Sequence, residues 1–310
     1  MTRTHRTISV TAFAVALTFG AQVSPSSACG PPDAATQAKA ALGAAAREKD
    51  APVPEREIRE IRSCGGTPSP SFIEHIHALR NDGLDVVILV NDESPMPPIV
   101  SDIETTILSV FNKLRCLVPN ARIGIVTYYG KGESPEVQPL TRSPEAVHSF
   151  LKSLRTMGCS SPYSGVLDGA KTAVDKMNWN STARKAIVLI GDEPPEEIDE
   201  APLMHLIHKF RSEKGTVSTL DATPNEDERF VRAFWEKVHH QEPPKVSPLP
   251  QFDRKTRRSF RKIADEGAGS MECLLPHDNI GQKILSLSIG IDWDKQLPRV
   301  TPPQPARAAN

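Results

Sequence analysis

The 310-residue chain is poor in aromatics, with Phe, Trp and Tyr at 5%. It has no basic surplus, since 37 Lys and Arg stand against 38 Asp and Glu. Nucleic-acid binding calls for a basic stripe with stacking aromatics, so that class is excluded. Beyond the N-terminus no segment approaches the 18 or so consecutive apolar residues of a membrane span. Five cysteines (Cys29, Cys64, Cys116, Cys159, Cys273) show no C-x-x-C spacing, which argues against a zinc cluster or a redox dithiol. There is no G-x-S-x-G elbow, no P-loop and no G-x-G-x-x-G after a strand. The pairs His75/His77 and His205/His208 lack the Glu of an H-E-x-x-H metal helix and read as surface or half-buried histidines. Cys159 has no His placed near it and reads as buried or disulfide-bonded.

Proline is plentiful at 28 residues, and it punctuates the N-terminal segment, the loops and the tail. Residues 1–28 read as a secretory signal: Arg3 and Arg6, an apolar stretch from Ile8 to Val23, then Ser26-Ser27-Ala28 as a small-x-small cleavage site. The expected location is therefore periplasmic or extracellular, where one or two disulfides form readily. Their connectivity stays open. Cys29 would carry a lipid anchor if there is one, but Ser26 stands where such signals want a Leu-like residue, so lipidation is not favoured. Residues 29–65 read as a flexible leader and 293–310 as a disordered tail.

Between them the pattern alternates. Asp85–Val90, Ile123–Tyr128, Lys185–Ile190, Thr216–Leu220 and Met271–Leu275 read as strands, with Val137–Leu140 as an edge strand because Pro139 lacks a ladder donor. Ile99, Ile103, Ile107, Val110, Leu114 and Leu117 fall on one helical face after Pro97-Pro98. Further helices are expected from Phe72 to Leu79, from Ser143-Pro144 to Leu154, and over Gly165–Met177, Leu203–Phe210, Arg257–Glu266 and Asp278–Leu287. Prolines 243, 244, 248 and 250 mark 221–254 as an irregular insertion. The fold expected over 66–292 is α/β, a doubly wound, mostly parallel sheet with helices on both faces. In the order 3-2-1-4-5-6 the first strand lies beside Lys185–Ile190, with the switch point between them.

Both of these strands run into acidic loops, Asn91-Asp92-Glu93-Ser94-Pro95-Met96 and Gly191-Asp192-Glu193-Pro194-Pro195. Ligands of open α/β sheets sit beyond such strand ends, and oxygen-rich loops there suit a hard cation or a polar ligand. With "DGLDVVILV", "VPNARIGIVTYYGKG", "LTRSPEAVHSFLKSL", the Gly158-to-Ala170 loop and helix and "ARKAIVLIGDEPP", the chain resembles the von Willebrand factor type A family. That family carries apolar-Asp-x-Ser-x-Ser after its first strand, a Thr from a later loop and an Asp after its fourth strand, which together hold a metal ion.

The resemblance places Asp192 at the fourth-strand Asp and Ser161, with Ser160 as the near alternative, at the Thr. The first loop fits in two registers. Aligning Met96 with the family's Met puts Asn91, Glu93 and Pro95 at the Asp and two Ser positions. A shift by one puts Asp92, Ser94 and Met96 there. The implied metal ligands are Asp92, Ser94, Ser161 and Asp192, for Mg²⁺ or Mn²⁺. The implied function is non-enzymatic binding of a protein or surface ligand, its own carboxylate completing the metal shell. A metal-free scaffold with a decayed site is the first alternative and a metal-dependent hydrolase the second.

Overall fold

The computed structural model describes residues 52–93, 96–130, 132–154, 164–223, 250–275 and 277–301. The signal, most of the leader, Ser94, Ser160, Ser161, Cys159 and positions 224–249 of the insertion lie outside these. Six apolar segments form one sheet: β1 (Leu84–Asn91), β2 (Arg122–Tyr128), β3 (Val137–Thr141), β4 (Arg184–Gly191), β5 (Gly215–Asp221) and β6 (Ala268–Cys273), in the order β3-β2-β1-β4-β5-β6. Only β3 pairs antiparallel, at one edge. All eight residues of β1 are buried, which is why its apolar run is continuous rather than alternating. β1 and β4 are neighbours in register from Leu84↔Arg184 to Val90↔Ile190, so the switch point lies between their carboxyl ends.

Helices α1 (Glu55–Ser63), α2 (Pro70–Asp82), α3 (Pro97–Leu117), α4 (Pro144–Ser153), α5 (Val166–Asp175), α6 (Glu197–Ser212), α7 (Pro250–Glu266) and α8 (Ile280–Ile289) surround the sheet. Alternation along β1 divides the core. Val86, Ile88 and Val90 pack with residues of α2, α3, α4 and α8. Val87 and Leu89 pack on the opposite face with residues of α5, α6 and α7. All six of the apolar positions read along α3 are buried. The Ser143 hydroxyl caps α4 by accepting from Ala146 N at 3.2 Å, as its sequence of Ser then Pro demands.

The ordered domain is longer than 66–292. Within the segment read as leader, α1 forms, Ile61 is fully buried, and Cys64 is bridged to Cys116 at the end of α3. Arg80 reinforces that joint, donating to Leu117 O at 2.6 Å and to Glu60 Oε2 at 3.0 Å. Within the segment read as tail, Leu297 and Val300 are buried, and Val300 is held by Gln282 Oε1 and Asn279 Nδ2. Single apolar residues among charges or prolines carry no period, so neither segment announces its packing. Helix α6 begins six residues before Leu203. Glu197, Asp199 and Glu200 in its first turn complement the helix dipole and offset the lost bond at Pro202. Part of the basic face of α7 pairs within the domain: Lys255 with Glu197, Lys262 with Glu200 and Arg257 with Asp221, while Arg254, Arg258 and Arg261 are exposed.

Candidate functional site

The carboxyl ends of β1, β4 and β5 each present an acid. That of β5 is settled: Asp221 accepts from Thr223 N at 2.9 Å, from the Thr223 hydroxyl, and from Arg257 Nε at 3.1 Å. Those of β1 and β4 have no such counter-charge, for no ion pair reaches Asp92, Glu93 or Asp192 among the described residues.

Residue alternation decides which acids meet. Asn91 follows Leu89 onto the α5 side of β1, and Glu93 returns to that side two residues later. Asn91 Nδ2 donates to Asp192 Oδ1 at 3.2 Å, and Asn91 Oδ1 accepts from Glu93 N at 3.2 Å. Glu93 Oε1 accepts from Gly130 N at 2.7 Å, while Oε2 is buried with no partner among the described residues. Tyr128, fully buried, donates its hydroxyl to Ile190 O at 3.2 Å. Gly191 has to be glycine there, because a Cβ would run into that hydroxyl. Ser164 closes the floor, bridging Gly130 and Pro195 and donating to Glu193 O at 3.3 Å. The crevice at the switch point is thus built from Asn91, Glu93, Tyr128, Asp192 and Glu193.

Its electrostatics follow from burial without compensation. Burial pushes the Asp192 carboxyl up to about 7; the Asn91 hydrogen bond opposes this, and the charges of Asp221 and Glu93 add to it. Burial also raises Glu93, against the Gly130 N–H and with help from Glu133. Tyr128 is held well above the usual phenol range by burial and then by the charges of Asp192, Glu193 and Glu93.

Asp92 is elsewhere. It follows Val90 to the α3 side of β1, donates its N–H to Tyr128 O at 3.1 Å, and is fully buried with both carboxylate oxygens unpartnered among the described residues. Burial, then the charge of Glu136, pushes it up to about 7. Of the four metal ligands implied by the resemblance, Ser94 and Ser161 lie outside the described residues, and no contact joins Asp92 to Asp192. Asn91 stands opposite Asp192, as in the register that aligns Met96. Asn91 and Glu93 share the side of Leu89 because side chains alternate along the strand, the one signal in the sequence that points to them. Among the described residues no group of three His, Cys, Asp or Glu has a metal-holding arrangement.

The strand order with one antiparallel edge, the helices on both faces and the acidic switch point together settle the fold. It is the doubly wound, mostly parallel α/β architecture expected from the sequence. Among solved structures the chain is similar to a conserved hypothetical protein, BatB, from Bacteroides thetaiotaomicron (14% identity, 66% of this chain, 96% of that one, TM-score 0.45). It is also similar to the SpRpn10 VWA domain (18%, 67% and 96%, TM-score 0.44). A third is the pilus adhesin SpaC from Lactobacillus rhamnosus GG in its open conformation (11%, 69% of this chain but 30% of that one, TM-score 0.48). At such identities and scores the likeness is one of chain path and says nothing of ligands. No family model and no curated protein matches the chain.

Proposed function

We propose that this exported type A-like domain binds a protein or surface ligand at the carboxyl edge of its sheet, without catalysis, and that a divalent cation in the β1/β4 crevice assists. The observation that carries the reading is the pair Glu93 and Asp192, two desolvated carboxyl groups within electrostatic reach of each other and without a basic partner among the described residues. Two carboxylates with waters suit Mg²⁺ or Mn²⁺. Asp192 and Glu93 would hold the ion, with Ser161 as the further oxygen ligand implied by the sequence; Ser94 belongs to the other register, that of Asp92. Bound there, the ion would offer a positive face to an acidic group of the ligand. Glu93 is oriented for this by Gly130, and Asp192 by Asn91. The crevice gathers carboxylates, an amide and a phenol. Export is supported by the N-terminal signal pattern and by the Cys64–Cys116 bridge. Among the described residues no helix is long and apolar enough to cross a membrane.

One observation favours a second, metal-free reading: the Asn91 amide already satisfies one oxygen of Asp192. Calorimetric titration of Mn²⁺ into the mature protein separates the two. Saturable binding lost in Asp192→Ala and weakened in Glu93→Gln supports the cation. Absence of binding at millimolar metal supports the metal-free scaffold.

A further inference from the structure

Four successive carbonyl groups at the end of β4 and in the loop after it, those of Ile190, Gly191, Asp192 and Glu193, are all taken. Gly191 O accepts from Ala222 N at 2.8 Å, which continues the ladder to β5. The other three accept from side-chain hydroxyls, each from a different part of the chain. Tyr128 of β2 donates to Ile190 O at 3.2 Å, Thr256 of α7 to Asp192 O at 3.2 Å, and Ser164 to Glu193 O at 3.3 Å. All three donors are buried. The main chain of a loop beyond a strand end ordinarily finds its partners in water. Here the protein supplies them, and the donors are themselves held. Helix α7 is pinned to β5 by Thr219 Oγ1, which donates to Phe260 O at 3.2 Å, and by Arg257 Nε, which donates to Asp221 Oδ2 at 3.1 Å. Ser164 is fixed by its bridges to Gly130 and Pro195.

We propose that Thr256, with Tyr128 and Ser164, is a set of positioning residues that fixes the backbone of 190–193 and so presents the Asp192 carboxyl to the crevice in one orientation. The inference rests on the cation reading of the crevice given above and deepens it. A binding group has to stand within about 0.5 Å of its productive place, and groups one step removed from an ion set its affinity. Asp192 is placed from both ends. Its side chain accepts from Asn91 Nδ2 at 3.2 Å, and its carbonyl accepts from Thr256. Three hydroxyls on one short stretch of backbone leave Asp192 little freedom to swing away before a ligand arrives, so little binding free energy is lost in ordering it. Thr256 acts on Asp192 directly and is the member on which the test turns.

The test is Mn²⁺ titration by calorimetry into the mature wild-type protein and into Thr256→Val, Thr256→Ser, Ser164→Ala and Tyr128→Phe, each close in shape to the residue it replaces. Thr256→Val is expected to weaken Mn²⁺ by roughly tenfold or more. Thr256→Ser, which keeps the hydroxyl, is expected to bind like wild type. A hydroxyl that served stability alone would lower Tm without moving the affinity of the folded protein. Unchanged Mn²⁺ affinity in Thr256→Val, Ser164→Ala and Tyr128→Phe therefore overturns the proposal, as does an equal loss in Thr256→Val and Thr256→Ser. Wild-type protein that binds no Mn²⁺ would sink the cation reading instead, and the metal-free protein then decides. Backbone amide order parameters of Gly191, Asp192 and Glu193 should fall in Thr256→Val and stay at the wild-type level in Thr256→Ser. Order parameters that do not change in Thr256→Val overturn the positioning role.

Discussion

Three neighbouring residues at the end of β1 take three different parts. Asn91 donates a hydrogen bond to Asp192, Glu93 faces the crevice, and Asp92 is buried on the other face. The cost of the last is measurable. The folded carboxyl is raised to about 7, against roughly 3.9 in an unfolded chain. Its contribution to stability is therefore fully present below about pH 4 and is lost as pH rises through 7. In chelator, Asp92→Asn should gain stability over wild type as pH goes from 5 to 8, by about 2 kcal/mol or more, as read by denaturant midpoints. An unchanged difference between the two pH values would mean that Asp92 is not desolvated. The same shift in Asp192 couples cation binding to proton release. Mn²⁺ affinity in the crevice should rise by roughly tenfold between pH 6 and pH 8 for each proton displaced.

At the scale of elements, the switch point depends on Tyr128 of β2 reaching across β1 to the end of β4. Gly191→Ala should destabilise by about 1–3 kcal/mol because the new methyl displaces the Tyr128 hydroxyl. It should also perturb the adjacent Asp192, so that Mn²⁺ binding falls with it. The joint of α1, α2 and α3 relies on Cys64–Cys116, which closes a loop of 52 residues. Reduction, or Cys64→Ala with Cys116→Ala, should cost about 2–4 kcal/mol in chemical denaturation and leave the crevice intact. Strands β1, β2, β4 and β5 and helix α3 were legible in the sequence because burial on both faces gives unbroken apolar runs and a helix face gives steps of three and four; β6, expected at Met271–Leu275, begins at Ala268 because its half-exposed start carries no apolar run. The start of α6, the packing of α1 and the anchoring of Leu297 and Val300 were not legible. Each rests on first-turn acids, a crosslink or isolated apolar side chains rather than on a period. The candidate site was half legible. Asp192 follows directly from its strand, whereas choosing between Asn91 with Glu93 and Asp92 with Ser94 required knowing which side of β1 each side chain leaves.

For the molecule as a whole, charge is concentrated at one edge of a sheet whose other acids are paired. Asp85 is held by Arg122, and Asp221 by Arg257. The acids left over, Glu93 and Asp192 in the crevice and Asp92 behind it, lie on adjoining loops at the switch point, where this architecture places ligands. The lysines of α7 close on Glu197 and Glu200 of α6. The carboxyl edge therefore gathers carboxyl groups without basic partners among the described residues, and under the function proposed above a cation there would be the attachment point for an acidic group. The most direct measurement is an anomalous difference map from crystals of the mature protein grown at pH 8 and soaked in Mn²⁺. The account predicts a peak between the carboxylates of Glu93 and Asp192 that is absent in Asp192→Ala. A fully soaked crystal with no peak there, or with its only peak remote from both residues, would contradict it.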